Sequence, residues 1–353
     1  MTGSANDSFS RSLHSGKRVT LALQGGGSHG AFTWGVLDRL LEDERIGIEA
    51  ISGASAGAIN AAVLAHGLTV GGRAGAREAL AAFWTRVAQA IPFGFAATRW
   101  PVAGAFAPHG PDPATKTMLF LSRFLSPYQL NPFNLNPLRD ILAAQLDFER
   151  IRAECPVKLF VAATRVATGR LRLFSREELT LEMLLASACI PSLNHAVEID
   201  GESYWDGGLT ANPPLRALLY ECTARDILVV LLHPLRRSGV PATADEIMHR
   251  LTEISFGSAF CGELQGIARA KKEAERALFA VGRLERRLRR LNLHVIQAEK
   301  MMRRLTVPSR LSTHASFLQS LRSEGRRRAH AWLRSNFQNI GARSSLALAE
   351  HLA

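Results

Sequence analysis

Hydrophobic and polar positions in this chain switch repeatedly between a strand-like and a helix-like period. Val19 to Leu23 is a short apolar run of the kind that forms a buried strand. Ala31 to Leu41 then places Phe32, Val36, Leu37, Leu40 and Leu41 at helical spacing. Ile48 to Ser52 is a second extended run, followed by a small-residue helical stretch, Ala58–Ala65, and a further helix over Ala74–Ala90 with Leu80, Phe83, Trp84 and Val87. Val157–Thr164 reads as a buried strand, Arg170–Phe174 as its hairpin partner and Leu179–Ala188 as a helix. Val197–Ile199, Gly201 and Tyr204 read as a second hairpin, Pro214–Tyr220 as a short helix and Asp226–Leu232 as a strongly apolar strand. Helices alternating with strands predict an α/β fold, a three-layer α/β/α sandwich.

The pattern breaks in two places. Residues 92–137 are rich in Pro, Gly and aromatic residues and are too long for an ordinary loop, which predicts an insertion. Within it, Thr117–Leu125 is expected as a short apolar helix that caps a site, lines an acyl pocket or touches a membrane; a satellite hydrophobic cluster is the alternative. Asn136–Leu146 resumes the core as a helix with Pro137 in its first turn. From Ala244 the chain is expected to be mainly helical to about Leu288. Leu291–Gln297 fits a long helix at heptad spacing and an edge strand at period two, and the strand is favoured. Helices follow from Ser312 to about Phe337, broken at Gly325 and anchored by Ala329, Trp332 and Leu333. The organisation is therefore a disordered tail at 1–16, a core at 17–243 containing the 92–137 insertion, and a mainly helical extension at 244–353.

Composition narrows the setting. The chain is 47% hydrophobic and 21% charged, as in globular proteins. It has no apolar run of the roughly 18 residues a transmembrane helix needs, and Met1–Gly16 lacks an apolar signal core. A cytoplasmic location is expected, with attachment to the inner face of a membrane open. Cys155, Cys189, Cys222 and Cys261 have no metal-type spacing and read as reduced, mostly buried thiols; no metal and no cofactor are expected. The net charge of +12 is unevenly placed, because residues 264–353 hold 19 Lys and Arg against 6 Asp and Glu. Arg283, Arg286, Arg287, Arg289 and Arg290 form one cluster and Arg326, Arg327 and Arg328 another. They read either as a solvated helical face or as an attraction to an anionic lipid surface. Nucleic acid is the weaker partner, since no recognition motif accompanies the charge.

Three motifs carry candidate chemistry. Gly53-Ala54-Ser55-Ala56-Gly57 lies between a strand and a helix, the setting of a nucleophile elbow that projects the Ser55 hydroxyl from a sharp turn. Gly25-Gly26-Gly27-Ser28-His29-Gly30 sits at another strand-to-helix turn, where free N–H groups can bind a phosphate or a developing oxyanion. It also fits a dinucleotide fingerprint, with Glu49 as the ribose acid. Asp206-Gly207-Gly208 follows the second hairpin, with Asn212-Pro213-Pro214 beyond it.

Together with Ala186-Ser187-Ala188-Cys189-Ile190-Pro191, these motifs resemble, in order and spacing, the patatin-like acyl hydrolases over roughly residues 18–235. The resemblance implies a serine–aspartate dyad, with Ser55 as nucleophile and Asp206 as general base. It implies an oxyanion hole from Gly25, Gly26, Gly27 and Ser28, principally the N–H groups of Gly26 and Gly27. Gly30, Gly53, Gly57, Pro191, Gly207 and Gly208 are implied as elbow and motif supports. The reaction implied is hydrolysis of a lipid ester, of phospholipase A or lysophospholipase type, through an acyl-serine. The family usually carries Arg or Lys where this chain has His29, so a fixed positive charge beside the loop is in doubt. The competing readings are a Ser-His-Asp esterase or thioesterase using His233, a Rossmann oxidoreductase, and a non-catalytic lipid-binding module.

Overall fold

The computed structural model describes residues 16–90, 113–235, 239–277, 282–306 and 308–346. Its strands are β1 (Lys17–Leu23), β2 (Ile46–Ala54), β3 (Lys158–Arg165), β4 (Leu171–Ser175), β5 (Val197–Ile199), β6 (Glu202–Asp206), β7 (Asp226–Leu231) and β8 (Asn292–Gln297). They form one sheet in the order β5-β6-β3-β2-β1-β7-β8, with β4 also paired to β3. The β3-β2-β1-β7-β8 stretch is parallel, whereas β4, β5 and β6 run antiparallel to their neighbours.

Side chains alternate across the pleat and so divide the core in two. Val19, Leu21, Leu23, Leu228 and Val230 face one side. There they meet α1 (Gly30–Leu41), α2 (Ala56–Gln89) and the later helix Ala315–Asn336. Ala22, Ile227, Val229, Leu231 and Leu293 face the other, against Leu215, Leu218, Phe260 and Leu264. The fold is thus the α/β sandwich that the periodicity predicts, with a helical C-terminal region added to it. Among the described residues no helix is long and apolar enough to cross a membrane.

Several expectations change in detail. The Ala74–Ala90 helix is the second limb of α2, which bends where Gly71 and Gly72 leave helical angles. The mainly helical stretch expected from Ala244 to about Leu288 consists of α3 (Ala244–Arg276) and α4 (Arg283–Arg290). Within Leu291–Gln297 lies the edge strand β8, not part of a long helix, and its apolar residues are buried against β7. Of the 92–137 insertion, residues 92–112 lie outside the described residues, as do residues 1–15 of the expected 1–16 tail. The rest includes the helices Pro113–Leu121 and Pro127–Leu130, and Phe120, Phe124 and Phe133 are exposed.

Gly325 does not break a helix. The helix α5 (Ala315–Asn336) runs through it without interruption. A Cβ on Gly325 would stand 2.1 Å from the Phe32 carbonyl oxygen, and one on Gly35 would stand 2.0 Å from that of Arg322. The two glycines let α1 and α5 cross backbone to backbone. Charge seals the crossing: buried Asp38 accepts from Arg77 at 2.7 Å, Arg322 at 2.9 Å and Arg326 at 2.5 Å. Burial pushes Asp38 up, but the three guanidinium groups outweigh it and hold the carboxyl below its ordinary value.

Several of the C-terminal arginines are tied into the fold. Arg327 and Arg328 pair with Glu324, and Arg287 donates to the carbonyls of Leu218, Leu219 and Thr223. The α4 cluster also leads into the N-terminal end of β8, which is parallel to β7 and β1. It consequently lies at the end of the sheet opposite the elbow that follows β2.

The crossing predicts that Gly325→Ala overpacks α1 against α5 and destabilises the protein by about 1–3 kcal/mol or more. Urea unfolding checks this, and an unchanged midpoint would contradict the close approach.

Candidate active site

Ser55 sits between β2 and α2 with φ 53° and ψ −129°, a backbone state that typically costs about 1–3 kcal/mol and has to be held by its surroundings. The holding contacts are local and specific. Its N–H is shared between the Ser187 carbonyl at 3.1 Å and the Ser187 hydroxyl at 3.0 Å. A Cβ on Gly57 would lie 2.1 Å from the Leu23 carbonyl oxygen, so only glycine lets α2 start this close to β1. Gly53 packs on the backbone of Gly57 in the same turn.

The partner carboxylate arrives through an exchange of strands on β3. With β4 on its other edge, β3 pairs with β2 as far as Ala54↔Ala162 and then with β6 from Ala163↔Asp206. Asp206 occupies the ladder position that β2 gives up by turning at Ser55. Its N–H donates to the Cys189 carbonyl at 2.8 Å, so the Ser187–Cys189 stretch ties down both residues. Pro191 follows at the turn beyond. Asp206 is fully buried. Oδ1 accepts from the Gly208 N–H at 2.7 Å, while Oδ2 has no well-formed hydrogen bond among the described residues.

Burial pushes the Asp206 carboxyl up to about 7, against smaller lowering effects from the Gly208 N–H, the Ser55 hydroxyl and the Arg310 charge. The Ser55 hydroxyl thus acts on the carboxylate without closing an aligned bond to Oδ2. A base poised near neutrality with an open lone pair is suited to taking a hydroxyl proton.

The glycine loop is only partly available to an oxyanion. The Gly25 N–H donates to Asn212 Oδ1 at 2.6 Å, which removes Gly25 from the expected donors. Its contribution is space, since a Cβ there would meet Ser55 Cβ at 2.7 Å. The turn Gly27–His29 closes with His29 N–H on the Gly26 carbonyl, leaving the N–H groups of Gly26, Gly27 and Ser28 ahead of that bond and unused by it. Gly30 begins α1 against Ala56, and Gly207 packs on the Ala162 backbone. Gln24 braces the loop from behind, donating to the Asn212 carbonyl and accepting from Leu232 and His233 N–H.

His29 is buried and hydrogen-bonded through Nε2 to Ser309 Oγ at 2.8 Å. Burial, then the Arg310 and His249 charges, push it down to about 3, so it is neutral and carries no fixed charge. His233 is also buried, and neither ring nitrogen has a hydrogen-bond partner among the described residues. It therefore bonds to neither Ser55 nor Asp206, and the histidine triad is not formed. Glu49 accepts from Thr223 and Ala224 N–H and is spent as a structural brace, which removes the dinucleotide reading's ribose acid.

Ser55 opens onto a cavity of about 470 Å³ whose walls include Ile59, Phe83, Trp84, Ile141, Leu185 and Leu193. Asn134 and Leu135 bring the end of the insertion to its rim. Tyr128 stacks on His195 at 4.1 Å, and its hydroxyl accepts from Ala196 N–H at 3.2 Å. Sequence reasoning missed the holding role of Ser187, the loop-bracing roles of Gln24 and Asn212, and Arg310 at the cavity wall. Ser187 alone lay within a motif quoted for the resemblance; Arg310 had no local signal.

Comparison with known proteins gives the family of the chain. The family model described as patatin-like phospholipase matches residues 21–219, more than half of the chain. The chain belongs to that family. No curated protein matches it. Among solved structures it is similar to VipD from Legionella pneumophila, at 15% identity and a TM-score of 0.43 over 96% of this chain and 73% of that one.

A carboxyl raised from 3.8 to about 7 by folding stabilises the protein below its unfolded value, and that contribution is lost as pH rises through about 7. Asp206→Asn removes the cost of ionisation. Relative to wild type it should gain roughly 3 kcal/mol of stability between pH 5 and pH 8. Urea unfolding at both pH values measures the gain; a difference that does not change with pH would contradict a buried, raised carboxyl.

Proposed function

We propose that this patatin-like protein hydrolyses carboxylic esters of lipids through an acyl-Ser55 intermediate, with Asp206 as the general base. The observation that carries the reading is the buried Asp206 carboxylate, with Oδ2 open, beside a strained Ser55 at an apolar cavity. Family membership supports lipid acyl hydrolysis in general; the dyad and the order of steps below are our reading.

The acyl chain lies along Ile59, Phe83 and Trp84, and the ester carbonyl points to the N–H groups of Gly26, Gly27 and Ser28. Ser55 Oγ attacks the carbonyl carbon as its proton passes to Asp206, and the carbonyl oxygen becomes the oxyanion. Asp206 returns the proton to the departing alkoxide, leaving the acyl-serine. Water then repeats the sequence, with Asp206 taking its proton and Ser55 leaving as the restored hydroxyl. A phospholipid or lysophospholipid fits this chemistry, as does an intracellular polyester or an acyl thioester. Attraction of the basic C-terminal region to an anionic lipid surface is a separate proposal. The α4 cluster would bring the end of the sheet opposite Ser55 to such a surface, so the exposed aromatic residues of the insertion are the better candidates for presenting the cavity mouth.

Turnover of a chromogenic fatty-acyl ester tests the reading. Ser55→Ala should abolish it, and Asp206→Asn should lower it by about 10²–10⁴. The wild-type kcat/KM should fall away below about pH 7, as the carboxylate takes up a proton. Near-normal turnover in either variant would sink the dyad.

A further inference from the structure

The matched family model ends at residue 219, but the cavity wall does not. The short turn Pro308–Leu311 of the C-terminal extension packs on the Gly27–His29 turn. A Cβ on Gly27 would stand 2.3 Å from the Arg310 carbonyl oxygen and 3.3 Å from Arg310 Cβ. On either side of this contact, Ser309 Oγ is bonded to His29 Nε2, and Leu311 and Thr313 join Arg310 in lining the cavity with Ser28 and Ser55. Arg310 Nε is screened from solvent. Arg310 is thus built into the wall of the cavity that holds Ser55 by a segment remote in sequence from every motif.

We propose that Arg310 is the fixed cation of this active site, holding Asp206 as a carboxylate at rest and facing the oxyanion once Asp206 has taken the Ser55 proton. The inference rests on the dyad reading. In the attack step one proton moves from Ser55 Oγ to Asp206, the Oγ–carbon bond forms, and the carbonyl π pair moves onto oxygen. One negative charge is thereby transferred from Asp206 to the oxyanion, with none created. A cation placed near both positions stabilises the charge before and after the transfer without having to move, which is how preorganised electrostatics lower a barrier.

The surroundings agree. The Arg310 charge lowers the pKa of Asp206, His29 and His233 alike. The other ionisable groups around them are Cys189, which burial and then Asp206 push up to about 12, and His249 and Glu253 from α3. With His29 and His233 kept neutral by burial, Asp206 and Glu253 are the carboxylates among the described residues of this surround, and Asp206 is the one whose pKa the Arg310 charge lowers.

The test uses the full chain and a fluorophosphonate probe, which phosphonylates Ser55 with loss of fluoride and needs no knowledge of the natural lipid. The labelling rate, read by mass spectrometry from pH 5 to 9, is compared for wild type, Arg310→Met and Arg310→Lys, with Ser55→Ala as the blank. In Arg310→Met the acid limb should move up by about one pH unit and the plateau rate should fall at least tenfold. Arg310→Lys should bring the limb back toward wild type. A slower Arg310→Met with an unmoved limb would overturn the proposal and make Arg310 a packing residue. If the methionine variant does not fold, Arg310→Gln replaces it under the same criterion. Wild type that does not label at Ser55 would overturn the dyad, and this proposal with it.

Discussion

The exchange of strands along one edge of β3 is the constraint on which the site depends. β2 leaves the ladder after Ala54 because Ser55 turns out of the strand, and the vacated position is filled by Asp206 at the end of antiparallel β6. A hydrogen-bonding edge left open in the interior would be costly, so one strand's departure and the other's arrival belong to a single solution. Ser55 and the Asp206 carboxylate become neighbours as a consequence of satisfying that edge.

The same arrangement creates the electrostatic state of the site. Asp206 loses its water, and among the described residues its carboxylate gains one firm hydrogen bond, from Gly208, so its charged form is destabilised and its pKa rises. Such a group has to be held in place by atoms other than its own carboxylate oxygens. Here the backbone does so, through Cys189, while Ser187 holds the strained Ser55 from the same short stretch. Stability is given up at the carboxylate and at the elbow, and is recovered in the two apolar layers of the sandwich.

The C-terminal extension is part of this machinery rather than an appendage. Gly35 and Gly325 let α5 lie directly on α1, and Asp38 locks the crossing with three arginines. That docking fixes the segment before it, so that Ser309 meets His29 and Arg310 reaches the cavity wall. Four of the C-terminal arginines, Arg322, Arg326, Arg327 and Arg328, are thus counter-charges to the buried carboxylates Asp38 and Glu324.

The sequence by itself determined the layered α/β fold, most strands and helices, and the three motifs, because periodicity and strand–Gly–helix turns are local properties. It also pointed to Ser55 and Asp206, through turns whose chemistry is legible within a few residues. Only the tertiary structure decided that the Gly25 N–H is already taken by Asn212, that His233 stands apart from Ser55 and Asp206, and that Gly325 is a crossing point instead of a break. It alone brought Arg310 to Gly27. Each of these turns on a contact between segments far apart in the chain. Whether a buried donor is free, or a glycine is needed for space, is set by the atom that comes to lie against it, and no local pattern records that atom.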